Sequence, residues 1–245
     1  MSSSVIVDRK LHFRGPSTHE GNTEVTFQEV KKHFKDHFTD TALSTDKWDT
    51  SLPGTSDTIA ISETAGGECL ITTGTVDDDS CMLATAIIFN GSKKAVCEVR
   101  VTIDDVSGTG LFVGFSDAKS EANNSIALHY PADAFTSVAD DAVGFVIDAD
   151  HATSSIMLAS SAATVDTTPV DTAVDWADGE TRNLRVELDT SGNAAFYING
   201  SLVGGLNSAV TAATLLCFTA QAITRANDGA NTVQVHRVDA WCDET

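Results

Sequence analysis

The stretch "NLRVELDTSGNAAFYINGSLVGG", residues 183–205, alternates apolar and polar side chains, turns at Ser191-Gly192-Asn193, alternates again and turns once more at Asn199-Gly200. A period of two marks a half-buried strand, and Asn-Gly suits a type I′ turn, in which both central residues need positive φ. The segment therefore predicts a hairpin with Leu184, Val186 and Leu188 facing the core. Asn183, Arg185, Glu187 and Asp189 then face solvent.

The same pattern extends over most of the chain. "DTIAISE", "CLITTG", "LATAIIF", "AVCEVRVTI", "GLFVGFSD", "AVGFVID", "SIMLAS", "TLLCFTAQ" and "NTVQVHRVDAW" are short, rich in β-branched or aromatic residues, and separated by Gly, Asp, Asn and Ser. About a dozen such strands, without the crossover helices that a parallel sheet needs, predict two antiparallel sheets packed face to face, a β-sandwich. In the last strand Val233 and Val235 share one parity while Val238 and Ala240 share the other, which predicts a bulge near His236 and Arg237.

Composition narrows the function classes. The chain has 245 residues, 42% of them hydrophobic, which suits one main domain with a sizeable core. No window approaches the roughly 20 apolar residues of a membrane span, and "MSSSVIVDRKLHFRG" carries charge where a signal peptide needs an apolar stretch. A soluble, unsecreted protein is expected. The five cysteines (Cys69, Cys81, Cys97, Cys217, Cys242) are odd in number and lack C-x-x-C or Cys/His spacing, so they read as reduced core or near-core residues. Cys97 shares the parity of Val99, Val101 and Ile103. The net charge of −20 would repel nucleic acid and anionic membranes.

That charge is uneven. Residues 1–37 hold six basic and five acidic residues, a net of +1, and four of the seven histidines, which leaves −21 on residues 38–245. The expected division is an N-terminal arm, 1–37, and a sandwich, 38–245. Within the arm Val5, Ile6, Val7, Leu11 and Phe13 are too apolar for a merely solvated tail, and Arg9, Lys10 and Arg14 lie among them. Phe27, Val30, Phe34 and Phe38 recur at spacings of three and four, which predicts a short amphipathic helix over about 26–37.

The hairpin ending "FYINGSLVG", its "D-x-x-G" turn and the earlier "FTDTALSTDKWDT" together resemble the concanavalin A-like, laminin G or legume-lectin-like jelly roll. The resemblance covers about residues 38–245. It implies an all-β, antiparallel two-sheet jelly-roll sandwich, and the superfamily it points to includes lectins, glycosidases and structural modules of virus particles. Function must then be argued from the site.

A glycosidase needs two carboxylates about 5 to 9.5 Å apart. In concanavalin-like glucanases they come from E-x-D-x-x-E or E-x-D-x-E strands, and neither spacing occurs. In "CEVRVTIDD" Glu98 is followed on its own face by Arg100. G-x-S-x-G, H-E-x-x-H and glycine-rich phosphate loops are also missing, and His129 and His151 are single histidines beside turns, read as solvated. No catalytic residue and no cofactor are expected. Lectins of this fold often bind calcium, but Asp77–Asp79, Asp148–Asp150 and Asn227–Gly229 lack a known ligand pattern and read as turn residues. Trp48 and Trp241 are expected to pack in the core or at its rim, and Trp176, in the polar "VDTAVDWADGE", is the candidate sugar platform.

An acidic sandwich with a basic-apolar arm is similar in plan to tailed-bacteriophage capsid decoration, or cement, proteins. The expectation from that analogy is a non-enzymatic virion protein on the outer capsid surface, assembled in the host cytoplasm. Val5, Ile6, Val7, Arg9, Lys10, Leu11, Phe13 and Arg14 would bind the major capsid protein, and a homotrimer would suit threefold capsid sites. The alternative is a lectin-like carbohydrate-binding module, for instance one that recognises a cell-surface glycan through Trp176.

Overall fold

The computed structural model describes residues 31–63, 66–225 and 229–243 in full, together with the backbone of the strands Ser4–Val7, Lys10–Arg14 and Asn22–Thr26. The chain is an all-β jelly-roll sandwich of two antiparallel sheets. Sheet I runs, in hydrogen-bonded order, Ser201–Leu206, Ala194–Ile198, Thr181–Leu188, Val96–Ile103, Thr232–Asp243, Glu68–Thr72 and Thr58–Ser62. Sheet II runs Val165–Asp166, Ser155–Ala162, Ala142–Asp148, Thr109–Ser116, Leu215–Thr224, Ser80–Thr85 and Trp48–Ser51.

The two sheets explain two kinds of strand sequence. Between them lies an aromatic-rich core in which Phe145 of sheet II meets Phe196 of sheet I edge-on, ring centroids 5.3 Å apart. Among the described residues sheet I is covered on that face only, so its strands alternate: Leu184, Val186 and Leu188 are buried while Asn183 and Asp189 are exposed. Sheet II is covered on both faces. The excursion between Ser116 and Ala142 lays Ile126, Leu128 and Tyr130 over Phe112, Val146 and Met157, which is why "GLFVGFS" and "AVGFVID" are buried throughout.

Sequence-level geometry holds at the turns. Asn199 and Gly200 have φ of 51° and 82°, as a type I′ hairpin requires. Arg100 pairs with Arg237 and Val101 with Val235, so His236 is the extra residue of a bulge, and Val233, Val235, Val238 and Ala240 all reach the core. All five cysteines are free and buried.

The helix expected over 26–37 does not form where the structure describes it. Lys31–Asp36 is a strand of sheet I, paired antiparallel with Val238–Asp243. Lys31, His33 and Lys35 point outward, whereas Phe34 packs edge-on against Trp48 at 4.8 Å and Asp36 accepts from Trp48 Nε1 at 2.9 Å. "KKHFKD" carries period two as well as a fragment of period 3.6, and pairing with a strand some two hundred residues away decides between them. The sandwich thus starts by residue 31. Phe27 and Val30 lie outside the described residues.

Ser4–Val7, Lys10–Arg14 and Asn22–Thr26 form a separate three-stranded antiparallel sheet. It places Val5, Ile6 and Val7 on its first strand and Lys10, Leu11, Phe13 and Arg14 on its central one; Arg9 lies outside the described residues.

Candidate functional site

Three loops meet at one end of the sandwich: the sheet-to-sheet connection 104–108, the hairpin loop 149–154 and the sheet-to-sheet connection 176–180. Each is shaped by an aspartate. Asp105 Oδ1 accepts from Ser107 N at 2.9 Å and from Ser107 Oγ at 2.7 Å, and Asp148 Oδ1 accepts from Asp150 N at 3.1 Å. Asp178 Oδ1 accepts from Val106 N at 2.9 Å, and Gly179 N donates to Ile103 O at 2.8 Å, which ties the third loop to the first. These carboxylates cap backbone N–H groups in turns, where Asp is favoured.

The loops enclose a cleft of about 580 Å³. Val106, Ile147 and Trp176 form its apolar floor, and Ser107, His151, Thr153, Ser154 and Asp178 bring polar groups to it. Trp176 is only 4% exposed, so it is a buried floor residue and not the open platform expected of it. Its Nε1 donates to Glu180 O at 2.8 Å, which fixes the indole in place.

His151 is not a solvated single residue either. Its ring stacks on Tyr130 with centroids 4.1 Å apart, and Nδ1 lies 2.7 Å from Asp133 Oδ1. The Ala152 N–H and the His151 ring hold the Asp133 carboxyl below the usual range. His129 is buried beneath the same region, with Nδ1 2.7 Å from Ile126 O, and burial pushes its pKa down.

Behind the floor sits a buried ion pair. Arg225, with its side chain 2% exposed, donates Nε and Nη2 to the two oxygens of Asp148, each at 2.9 Å. It also contacts Asp78, and Asp150 lies 3.7 Å from Nε. Asp148 further accepts from Tyr130 N at 2.9 Å. The clusters 77–79 and 148–150 are thus committed to Arg225 and to turns, while Asn227 and Asp228 lie outside the described residues. Among the described residues no group of three or more His, Cys, Asp or Glu is arranged to hold a metal.

The tryptophans divide differently from the expectation. Trp48 is core, 3% exposed, but Trp241 stands on the outer face of sheet I and is half-buried. The signal was present: inward Val238 and Ala240 put Trp241 outward. Glu98 is also on that outer face, paired across strands with Arg185.

Two further carboxyls draw attention. Asp117 Oδ1 and Glu121 Oε1 are both enclosed without a hydrogen-bond partner, and burial, with Asp117 nearby, pushes Glu121 up to about 7. They lie in the segment leaving Ser116, and neither lines the cleft.

No protein-family model matches the sequence. No curated protein matches it either. Solved structures do resemble the fold. The Emp47p carbohydrate recognition domain superposes with a TM-score of 0.58 at 11% identity, covering 87% of this chain and 95% of that one. A glycoside hydrolase family 16 endo-glucanase from Bacteroides ovatus gives 0.58 at 10%, covering 84% and 98%. A protein of unknown function from Shewanella oneidensis gives 0.53 at 10%, covering 89% of each chain. At identities this low the likeness shows the fold alone, a jelly-roll β-sandwich of two antiparallel sheets.

Proposed function

We propose that the chain is a carbohydrate-binding module whose loop-end cleft holds one or two sugar residues of a neutral oligosaccharide. The observation that carries this reading is the cleft itself. It has an apolar floor with a fixed indole and a rim of hydroxyl, imidazole and carboxylate groups, the make-up of a small-ligand site. The apolar face of a pyranose would rest on Trp176, Val106 and Ile147, and its hydroxyls would bond to Ser107, Thr153, Ser154 and Asp178.

Binding is favoured over hydrolysis by how the two carboxylates lining the cleft are used. Asp148 is taken up by Arg225 and Tyr130 N, which leaves Asp178, capping Val106 N through Oδ1 alone, as the one lining carboxylate with an oxygen to offer. A glycosidase needs one acid free to donate a proton and a second free to attack or to activate water. A carbohydrate recognition domain and an endo-glucanase share the fold, which is compatible with either activity.

Calorimetric titration with cellotetraose, laminaritetraose and mannotetraose tests the proposal. Saturable binding of at least one is expected, with loss of the loop-end component in Ala152→Trp, which fills the cleft from an exposed position. Release of reducing ends would move the reading to hydrolysis. Unchanged binding by Ala152→Trp, or no binding at all, would overturn it.

Attachment to a capsid through the arm is kept as a second reading, supported by the separate sheet that the strands Ser4–Val7, Lys10–Arg14 and Asn22–Thr26 form. The two roles are compatible, since they use different parts of the chain.

A further inference from the structure

The outer face of sheet I is built in cross-strand rows. One row runs Tyr197, Arg185, Glu98, Asp239, Lys35, and the next runs Glu187, Val96, Trp241, His33. The Arg185 guanidinium lies 5.7 Å from the Tyr197 ring centre and 5.6 Å from that of Trp241. It is fixed there by Glu187 and by Glu98 at 3.9 Å.

Beside this stack is a second cleft, of about 400 Å³, which shares no residue with the first. Val96 and Trp241 form its apolar side. Arg185, Glu187, Lys94 and Asp243 wall it, with Lys94 Nζ 3.6 Å from Asp243. We infer that this cleft is a second carbohydrate site, taking a neutral pyranose against the Trp241 indole.

Three features point to that ligand class. Of the three tryptophans, Trp241 alone is half-exposed, with Trp48 at 3% and Trp176 at 4%. The lining side chains comprise three cations (Lys31, Lys94, Arg185) and three acids (Glu187, Asp189, Asp243), so the cleft is formally neutral on a chain of net charge −20. A neutral polyol meets balanced donors and acceptors there, and neither an anion nor a cation gains from a net field. The ion pairs also hold their donors and acceptors in place before a ligand arrives, which lowers the ordering cost of binding. Alternating donors and acceptors around an aromatic wall match a sugar ring, whose hydroxyls both donate and accept.

The three indole N–H resonances, assigned by single Trp→Phe variants, report on each site separately during titration of the full chain with the same three tetrasaccharides. Saturable movement of the Trp241 signal is expected. In calorimetric titration Trp241→Ala should weaken the second site roughly tenfold or more, as loss of one aromatic contact implies, while the Trp176 resonance still responds. Trp241→Phe keeps a ring and should retain part of the affinity. If Trp176 responds and Trp241 does not, the second site is overturned and the loop-end site stands. Movement of Trp241 alone supports the second site and overturns the first, and silence from both overturns both.

Discussion

Arg225 and Asp148 meet side by side at the back of the loop-end cleft, two parallel hydrogen bonds of 2.9 Å between side chains that are 2% and 0% exposed. Such a pair is held by geometry and not by net Coulomb gain, because both ions have left water. Arg225→Met should therefore cost about 3–5 kcal/mol, the penalty of leaving a buried carboxylate without its partner. Adding Asp148→Asn should recover part of that loss, since the amide oxygen can still accept from Tyr130 N. Urea denaturation of the two variants measures the difference. A double variant no more stable than the single one would mean that Arg225 acts through Asp78 and Asp150.

The two glycine turns of the quoted hairpin should respond unequally. Both Gly192 (φ 80°) and Gly200 (φ 82°) need a left-handed backbone, but a Cβ on Gly200 meets nothing within 4 Å while one on Gly192 would run into the Val210 carbonyl oxygen. Gly200→Val is expected to cost about 1 kcal/mol, and Gly192→Ala clearly more. A shift in denaturation midpoint at constant m-value is the readout. Equal shifts would show that the Gly192 turn relaxes without cost.

These turns, like the His236 bulge, were legible because each follows from a local rule: a parity, or a sign of φ. The strand at Lys31–Asp36 was not, because its partner lies at the opposite end of the chain and nothing local marks the pairing. The loop-end cleft was half legible. Trp176 was found from its polar surroundings, but its burial and the convergence of loops 104–108 and 149–154 on it depend on topology. Trp241 was legible in principle from its parity.

Glu121 makes stability fall as pH rises. Its folded-state pKa lies above the ordinary 4.5, at about 7, so the folded chain holds a proton that the unfolded chain releases. The stabilisation is fully present below about 4.5 and is lost as pH climbs through about 7. Glu121→Gln should flatten the melting temperature across that window and raise it at pH 8. A melting curve whose pH dependence matches the wild type would assign the effect to Asp117, whose carboxyl burial also raises.

The thiols should be silent in the folded state. Burial pushes Cys69, Cys97 and Cys217 up to about 12 and raises Cys81 as well, and all five side chains are buried. The thiolate is the reactive form. Ellman's reagent at pH 8 should therefore find no thiol in the native protein and all five in guanidinium. Rapid modification of one cysteine without denaturant would reveal local opening of its strand.

The last prediction separates the arm from the sandwich. Among the described residues neither sandwich sheet takes a strand from before Lys31, so deleting residues 2–30 should leave the melting temperature within a few degrees. Deleting residues 2–37 should not be tolerated in the same way. It removes the strand on Val238–Asp243 and takes away Phe34 and Asp36, which hold Trp48 through a 4.8 Å ring contact and a 2.9 Å hydrogen bond. Asp36 also accepts from Phe38 N at 3.0 Å, and its carboxyl is held below the usual range by these bonds and by Lys47 against the opposing effect of burial. At about 1 kcal/mol for each lost hydrogen bond, plus the burial of Phe34, several kcal/mol should go. Comparing the two truncations by thermal melting, and then by co-sedimentation with undecorated capsids, separates folding from attachment. A shorter truncation that melts like the full chain yet no longer sediments would assign attachment to residues 2–30, and one that still sediments fully would move it to the sandwich.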